Sequence, residues 1–269
     1  MTDLAFARSG AGAPLVLLHG IGSSRQAWDP VIPALAGLFD VLAVDLPGFG
    51  ESRPLPPRTE PGPAALAAAV AGLLDELGVT DSHVAGNSLG GWVALELASI
   101  RPVASLTLLS PAGLWRGTVP LYSRASLRAT RWLSQHAAGA LSRLVGYRLG
   151  QALVLGQTMG RPFRVPPGYA RTAIRAMGTC PGFDATMKAT VTGYRPGPPI
   201  GAPVTVAFGS RDHLLLRRSR QFGLLPPGTQ RAALPRCGHV PMADDPAAVA
   251  ALITASAARG RPAERHAAR

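Results

Sequence analysis

Cysteine, lysine and long apolar runs are all scarce in this chain, and each scarcity excludes something. Two cysteines, Cys180 and Cys237, cannot by themselves build a disulfide framework or a zinc site. The longest apolar run, residues 64–74, stops at Asp75-Glu76, short of the roughly 20 residues that a membrane-spanning helix needs. Residues 1–8 offer no basic stretch ahead of an apolar one, so no secretory leader is expected. Charged residues make up only 16% of the 269, against 47% hydrophobic, which excludes a generally disordered chain. The expectation is a soluble, cytoplasmic globular protein, long enough for one large α/β domain or two small ones.

Acids are scarce too, 15 against 27 basic residues, giving a formal net charge of +12. Such an excess speaks for an anionic partner only where it is concentrated. Residues 1–110 carry five arginines against ten acids. Eleven arginines and Lys188, the only lysine, crowd into residues 111–202, where Asp184 is the sole acid. Residues 203–258 and 259–269 each add a net +3. The excess belongs to one internal segment, and no base-stacking motif accompanies it, so no nucleic-acid partner is expected. Within that segment Arg124, Arg128 and Arg131 fall at helical spacing beside Tyr122 and Trp132. The plain reading is a solvated helix face. The functional reading is a face that steers an anionic small-molecule substrate or rests on an acidic lipid surface. On that reading Trp115, Tyr122, Arg124, Arg128 and Trp132 are candidate substrate contacts.

Short apolar runs at 15–18, 41–44, 83–85 and 106–109 alternate with helix-like stretches at 28–39, 63–77 and 89–99. Continuous apolar strands separated by helices predict βαβ units and a mostly parallel sheet covered on both faces. Between 111 and 202 this rhythm gives way to amphipathic helical pieces near 121–135 and 137–155, set among Arg, Gly and Pro. Strand-like runs at 204–208 and 230–234, then a helix over 245–258, restore it. The expected organisation is an α/β core of residues 1–110 and 203–258, a mainly helical insertion at 111–202, and a disordered tail at 259–269.

Gly86-Asn87-Ser88-Leu89-Gly90 matches G-x-S-x-G between a predicted strand and a predicted helix. In that context the sharp turn lifts a serine hydroxyl clear of the backbone; without it, the match is a glycine-rich turn with an incidental serine. Serine needs a base to act as a nucleophile. Among six histidines, His239 sits in a loop between the last strand and the last helix, with Gly238 leaving room for its reach. His83 opens a strand, His136 lies in the irregular segment, His213 follows an acid directly, and His266 is in the tail. His19 reads as a loop anchor. A base needs an orienting carboxylate. Asp212 follows the 204–208 strand through Gly209-Ser210-Arg211, whereas Asp184 has no strand before it. Asp244 and Asp245 precede the last helix, where capping is the simpler role. Oxyanion donors would be the backbone N–H groups of Ile21, in His19-Gly20-Ile21-Gly22, and of Leu89 at a helix start. Cys237 reads as a small buried filler. No cofactor and no metal are expected.

These motifs, with Asp45-Leu46-Pro47-Gly48-Phe49-Gly50-Glu51-Ser52, occur in an order that resembles the α/β-hydrolase superfamily of serine hydrolases over about residues 12–258. The resemblance implies a mostly parallel central sheet flanked by helices and a helical cap domain coinciding with 111–202. It also implies a catalytic triad of Ser88, Asp212 and His239. Only residues 4–8 remain for the usual opening hairpin, so the sheet is expected to lack its first edge strand. The implied reaction is cleavage of a small-molecule carboxylic ester or thioester through an acyl-enzyme on Ser88, with His239 as base. Serine at 88 speaks against the haloalkane dehalogenase and epoxide hydrolase branches, which place a carboxylate there. Carbon–carbon hydrolases of ring-cleavage products share the Gly-Asn-Ser-x-Gly-Gly form, though they typically carry tryptophan where this chain has Val240. Metal-free haloperoxidases acting as perhydrolases, and small-molecule receptors that retain a triad, stay open beside them. Nothing in the sequence speaks to oligomeric state.

Overall fold

The computed structural model describes residues 3–260. Its frame begins with β1 (Phe6–Ser9), β2 (Ala13–Leu18), a one-turn helix α1 (Ile32–Leu35) and β3 (Phe39–Val44). It continues through α2 (Pro63–Glu76), β4 (His83–Asn87), α3 (Leu89–Ile100) and β5 (Ser105–Leu109). These strands form because their residues alternate between two cores: Leu15 and Leu17 of β2 enter one, Val16 and Leu18 the other.

Five helices then follow before the next strand: α4 (Leu121–His136), α5 (Ala138–Leu144), α6 (Arg148–Leu155), α7 (Pro167–Thr179) and α8 (Phe183–Ala189). The frame closes with β6 (Val204–Gly209), β7 (Gln230–Leu234), a short α9 (Pro241–Asp244) and α10 (Pro246–Ala257). The strand order is β1-β3-β2-β4-β5-β6-β7. Among the described strands only β1 runs antiparallel. This is the expected mostly parallel sheet. Helices α2 and α3 cover one face, α1 and α10 the other. Among the described residues β1 is a lone edge strand, with no hairpin partner outside it.

Three local expectations need correction. Residues 28–39 do not make one helix: Pro30 and Pro33 lack the N–H donors that a helix running on from Trp28 would need, and α1 is a single turn that starts at Ile32. Residues 137–155 split into α5 and α6 at Gly146-Tyr147, and Gly150 lets α6 cross closely over the Leu144 carbonyl. Arg259 and Gly260 are not part of a loose tail: Arg259 donates to the Thr205 hydroxyl, and Gly260 packs on the backbone of Ala104. The remainder of that expected tail, 261–269, lies outside the described residues. No helix among the described residues is long and apolar enough to cross a membrane.

Candidate active site

Ser88 stands where β4 turns into α3, with φ +55° and ψ −116°. A positive φ on a non-glycine residue is sterically costly and persists only where its surroundings enforce it. Here glycines do so. A Cβ on Gly86 would overlap the Gly90 carbonyl, and one on Gly90 would overlap that of Leu18, so α3 can start this close to the sheet only with glycine at both. The Ser88 N–H donates to Leu109 O at 2.9 Å, while its own carbonyl accepts from Gly91, Trp92 and Ala112.

Asp212 and His239 approach from the ends of β6 and β7. His239 Nδ1 lies 3.0 Å from Asp212 Oδ2, with both side chains buried. Asp212 Oδ1 accepts from the N–H groups of Leu214 at 3.0 Å and Leu215 at 2.9 Å. Burial works against ionisation of Asp212, but the facing His239 and the two N–H groups outweigh it and hold the carboxyl below its ordinary range. This pairing fixes the ring so that Nε2 is the nitrogen left over. Among the described residues that Nε2 is buried and has no hydrogen-bond partner. His239 and Ser88 line the same cavity, of about 140 Å³.

The loop that carries Ile21 is held from behind. His19 Nδ1 lies 2.8 Å from Gly20 O, and the Leu46 N–H donates to Nε2 at 3.0 Å. With one ring nitrogen donating and the other accepting, His19 is a neutral brace, and burial pushes its pKa down. Asp45 accepts from the Arg25 N–H at 2.6 Å, the Glu51 N–H at 3.0 Å and the Arg25 guanidinium. That cluster accounts for the Asp45–Ser52 motif as scaffold for the loop. The N–H groups of Ile21 and Leu89 donate to no backbone carbonyl among the described residues. Leu89, as the first helical residue, has no intrahelical acceptor.

The sequence matches the alpha/beta hydrolase family over residues 15–252. The chain belongs to that family. An uncharacterized protein of Mycobacterium tuberculosis is 30% identical over 264 residues, covering 90% of this chain and 74% of that one. An epoxide hydrolase of the same organism is 32% identical over 210 residues, 71% of this chain and 92% of that one. In fold, the chain resembles a thermophilic esterase from Thermogutta terrifontis, with a TM-score of 0.72 at 24% identity over 94% of this chain and 92% of that one. It is a hydrolase.

The structure of this alpha/beta hydrolase does not bring all the expected substrate contacts together. Trp115 is buried edge-on to Trp92 and lines a second, smaller cavity of about 40 Å³ that also reaches Ser88. Tyr122, Arg124, Arg128 and Trp132 line neither cavity; Tyr122, Arg128 and Trp132 are exposed on α4. The expected basic stripe is also broken. Arg131 turns inward, 9% exposed, to bond Met177 O and Cys180 Sγ and to sit over the Phe183 ring. The face of α4 that meets the larger cavity is Leu127, Thr130, Leu133 and Ser134.

Other residues proved more important than their sequence context suggested. Asp244 does not cap α10; Asp245 does, accepting from Ala248 N–H. Asp244 instead accepts from the N–H groups of Gly160, Arg161 and Gly238, each at 2.7 Å, joining the helical insertion to the histidine loop. Asn87 donates to Leu109 O and His239 O, so its amide is spent on holding that loop. Tyr169, Ile174 and Met177 of α7 line the larger cavity. Their helix was legible: Pro166-Pro167 is a start signal, and apolar residues recur at 170, 174 and 177. Asp184 is exposed in the first turn of α8. Cys237 is a buried filler whose thiol burial pushes up to about 11. Among the described residues no cluster of His, Cys, Asp and Glu is suited to a metal.

Proposed function

We propose that this chain is a serine hydrolase that cleaves a small, neutral, largely apolar carboxylic ester or thioester through an acyl-enzyme on Ser88. One observation carries the reading: a strained serine and a histidine face one apolar cavity, and the histidine's far nitrogen is held by a buried carboxylate. His239 Nε2 takes the Ser88 proton as Oγ bonds to the substrate carbonyl carbon. The N–H groups of Ile21 and Leu89 receive the oxyanion, which the start of α3 also favours. Collapse expels the alcohol or thiol with the proton from His239. Water, deprotonated by the same nitrogen, then releases the acid and restores Ser88. The helices of 111–202 form the cap that closes the cavity.

The kinship with an epoxide hydrolase does not bring its reaction here. A serine oxygen that opened an epoxide would form an ether, which an activated water does not hydrolyse, so turnover would stop after one event. The carbon–carbon hydrolase reading loses its support at Asn87, whose amide is occupied in the loop. Among the described residues no arginine or lysine lines either cavity, which favours a neutral substrate over the anionic one of the functional reading of the basic segment.

Steady-state hydrolysis of short-chain aryl esters tests the proposal, with intact-protein mass spectrometry after rapid acid quench. Turnover that Ser88→Ala abolishes, with an acyl mass increment mapping to Ser88, is the expected result. Turnover that survives Ser88→Ala overturns it. No turnover across a broad ester and thioester panel favours the receptor reading.

A further inference from the structure

The helical insertion leaves an unusual number of large apolar side chains in water. Tyr147 is 72% exposed, Leu149 73% and Leu153 74%, with Leu144 and Phe163 close to half exposed. They are neighbours: α5 and α6 join at Gly146-Tyr147, and α6 packs on the turn that carries Phe163. Leu149 and Leu153, four residues apart, share one face of α6. Soluble surfaces rarely gather such residues into one patch without a partner for it.

Arginines frame the patch. Arg143 precedes Leu144, Arg148 lies over the Phe163 ring at 4.7 Å, and Arg164 follows it. Arg171 reaches in from α7 to donate to Ser142 O. No ion pair among the described residues includes Arg143, Arg148, Arg164 or Arg171. A second copy of this face would set these arginines against their own kind. Apolar side chains ringed by uncompensated arginine match a bilayer interface bearing negative headgroups.

The patch is also the roof of the cavity that holds Ser88. Val154, between exposed Leu153 and buried Leu155, lines that cavity, as does Leu141 of α5. Leu133 of α4 lines it as well while remaining 42% exposed. Apolar surface therefore continues from the outside of the insertion to the inside.

We propose that the outer face of α5, α6 and the Pro162–Arg164 turn docks on an anionic lipid bilayer, so that a lipophilic ester passes from the bilayer into the Ser88 cavity. The substrate class rests on the reading of Ser88 above; the docking itself does not. The full chain is co-sedimented with phosphatidylcholine vesicles, with and without phosphatidylglycerol, at low and high salt. Binding is expected only with phosphatidylglycerol and is expected to weaken as salt rises. Leu149→Glu/Leu153→Glu should lower the bound fraction by at least about tenfold, and Arg143→Gln/Arg148→Gln several-fold. Both double variants should keep wild-type thermal unfolding and hydrolysis of a water-soluble short-chain ester, because none of the four residues lines the cavity. Equal binding to both vesicle types, or undiminished binding by Leu149→Glu/Leu153→Glu, overturns the proposal. So does a dimer that this variant dissociates with no vesicle binding. If vesicle binding is lost while the soluble ester still turns over, the hydrolase reading is untouched; vesicle binding without any ester turnover removes that reading and leaves the docking.

Discussion

Asp212 shows how a single carboxylate joins chemistry to stability. Its value in the folded chain lies below the ordinary range, so the folded state binds fewer protons than the unfolded one as that range is crossed. The stabilisation is complete above about pH 4 and drains away as pH falls through the folded value. Thermal unfolding followed from about pH 3 to pH 7 should therefore show an acid limb that is flatter in Asp212→Asn. An unchanged limb would remove Asp212 as its source. The same variant should lower kcat by about 10³-fold to 10⁴-fold, because an amide no longer holds the ring with Nε2 facing the cavity. The motifs around Ser88, Asp212 and His239 were legible because each needs a particular backbone turn, and turns are written in glycine and in position after a strand. The bonds of Asn87 and Asp244 were not, since a side-chain amide or carboxylate that ties loops 152 or 84 residues apart leaves no local trace.

At the scale of elements, apolar strand runs and their intervening helices could be read directly, because burial on both faces leaves continuous hydrophobic stretches. Residues 28–39 and 137–155 misled for a common reason: helical periodicity survives a proline or glycine that the backbone does not. The junction of α3 with β4 offers a strict test. Gly90→Ala would force a Cβ onto the Leu18 carbonyl, and a loss of at least about 3 kcal/mol in urea unfolding is expected. Wild-type stability in that variant would mean that α3 can retreat from the sheet. Asp244→Ala should cost a comparable amount, about 1–3 kcal/mol for each buried N–H left without an acceptor. Because one of the three belongs to Gly238, its kcat should fall as well, and retained kcat would separate the loop from catalysis.

For the whole molecule, charge and cavity point in different directions. The arginines of residues 111–202 lie outside the space around Ser88, so Arg124→Gln/Arg128→Gln should change KM for anionic and neutral soluble esters alike. A selective rise in KM for the anionic ester would place those guanidinium groups on the path of the substrate. The cavity wall instead predicts a preference for apolar length: kcat/KM should climb by up to about fourfold per added methylene until the space is filled. A flat series would mean that the acyl chain stays in water.

The carboxylate of Asp244 has a mechanical consequence. It clasps residues 160–161 of the insertion and the residue next to His239 in one grip, while Asn87 ties that same histidine loop back to the turn of Ser88. The insertion is thus riveted at this corner and cannot swing open there without dislodging His239. Ser123 of α4 also donates to Leu214 O at 2.7 Å and Tyr169 of α7 to Ala27 O at 3.2 Å, so α5 and α6 are the part of the insertion left freest to lift. In hydrogen exchange the amides of Gly160 and Gly238 should open together and slowly, while those of α5 and α6 exchange ahead of them.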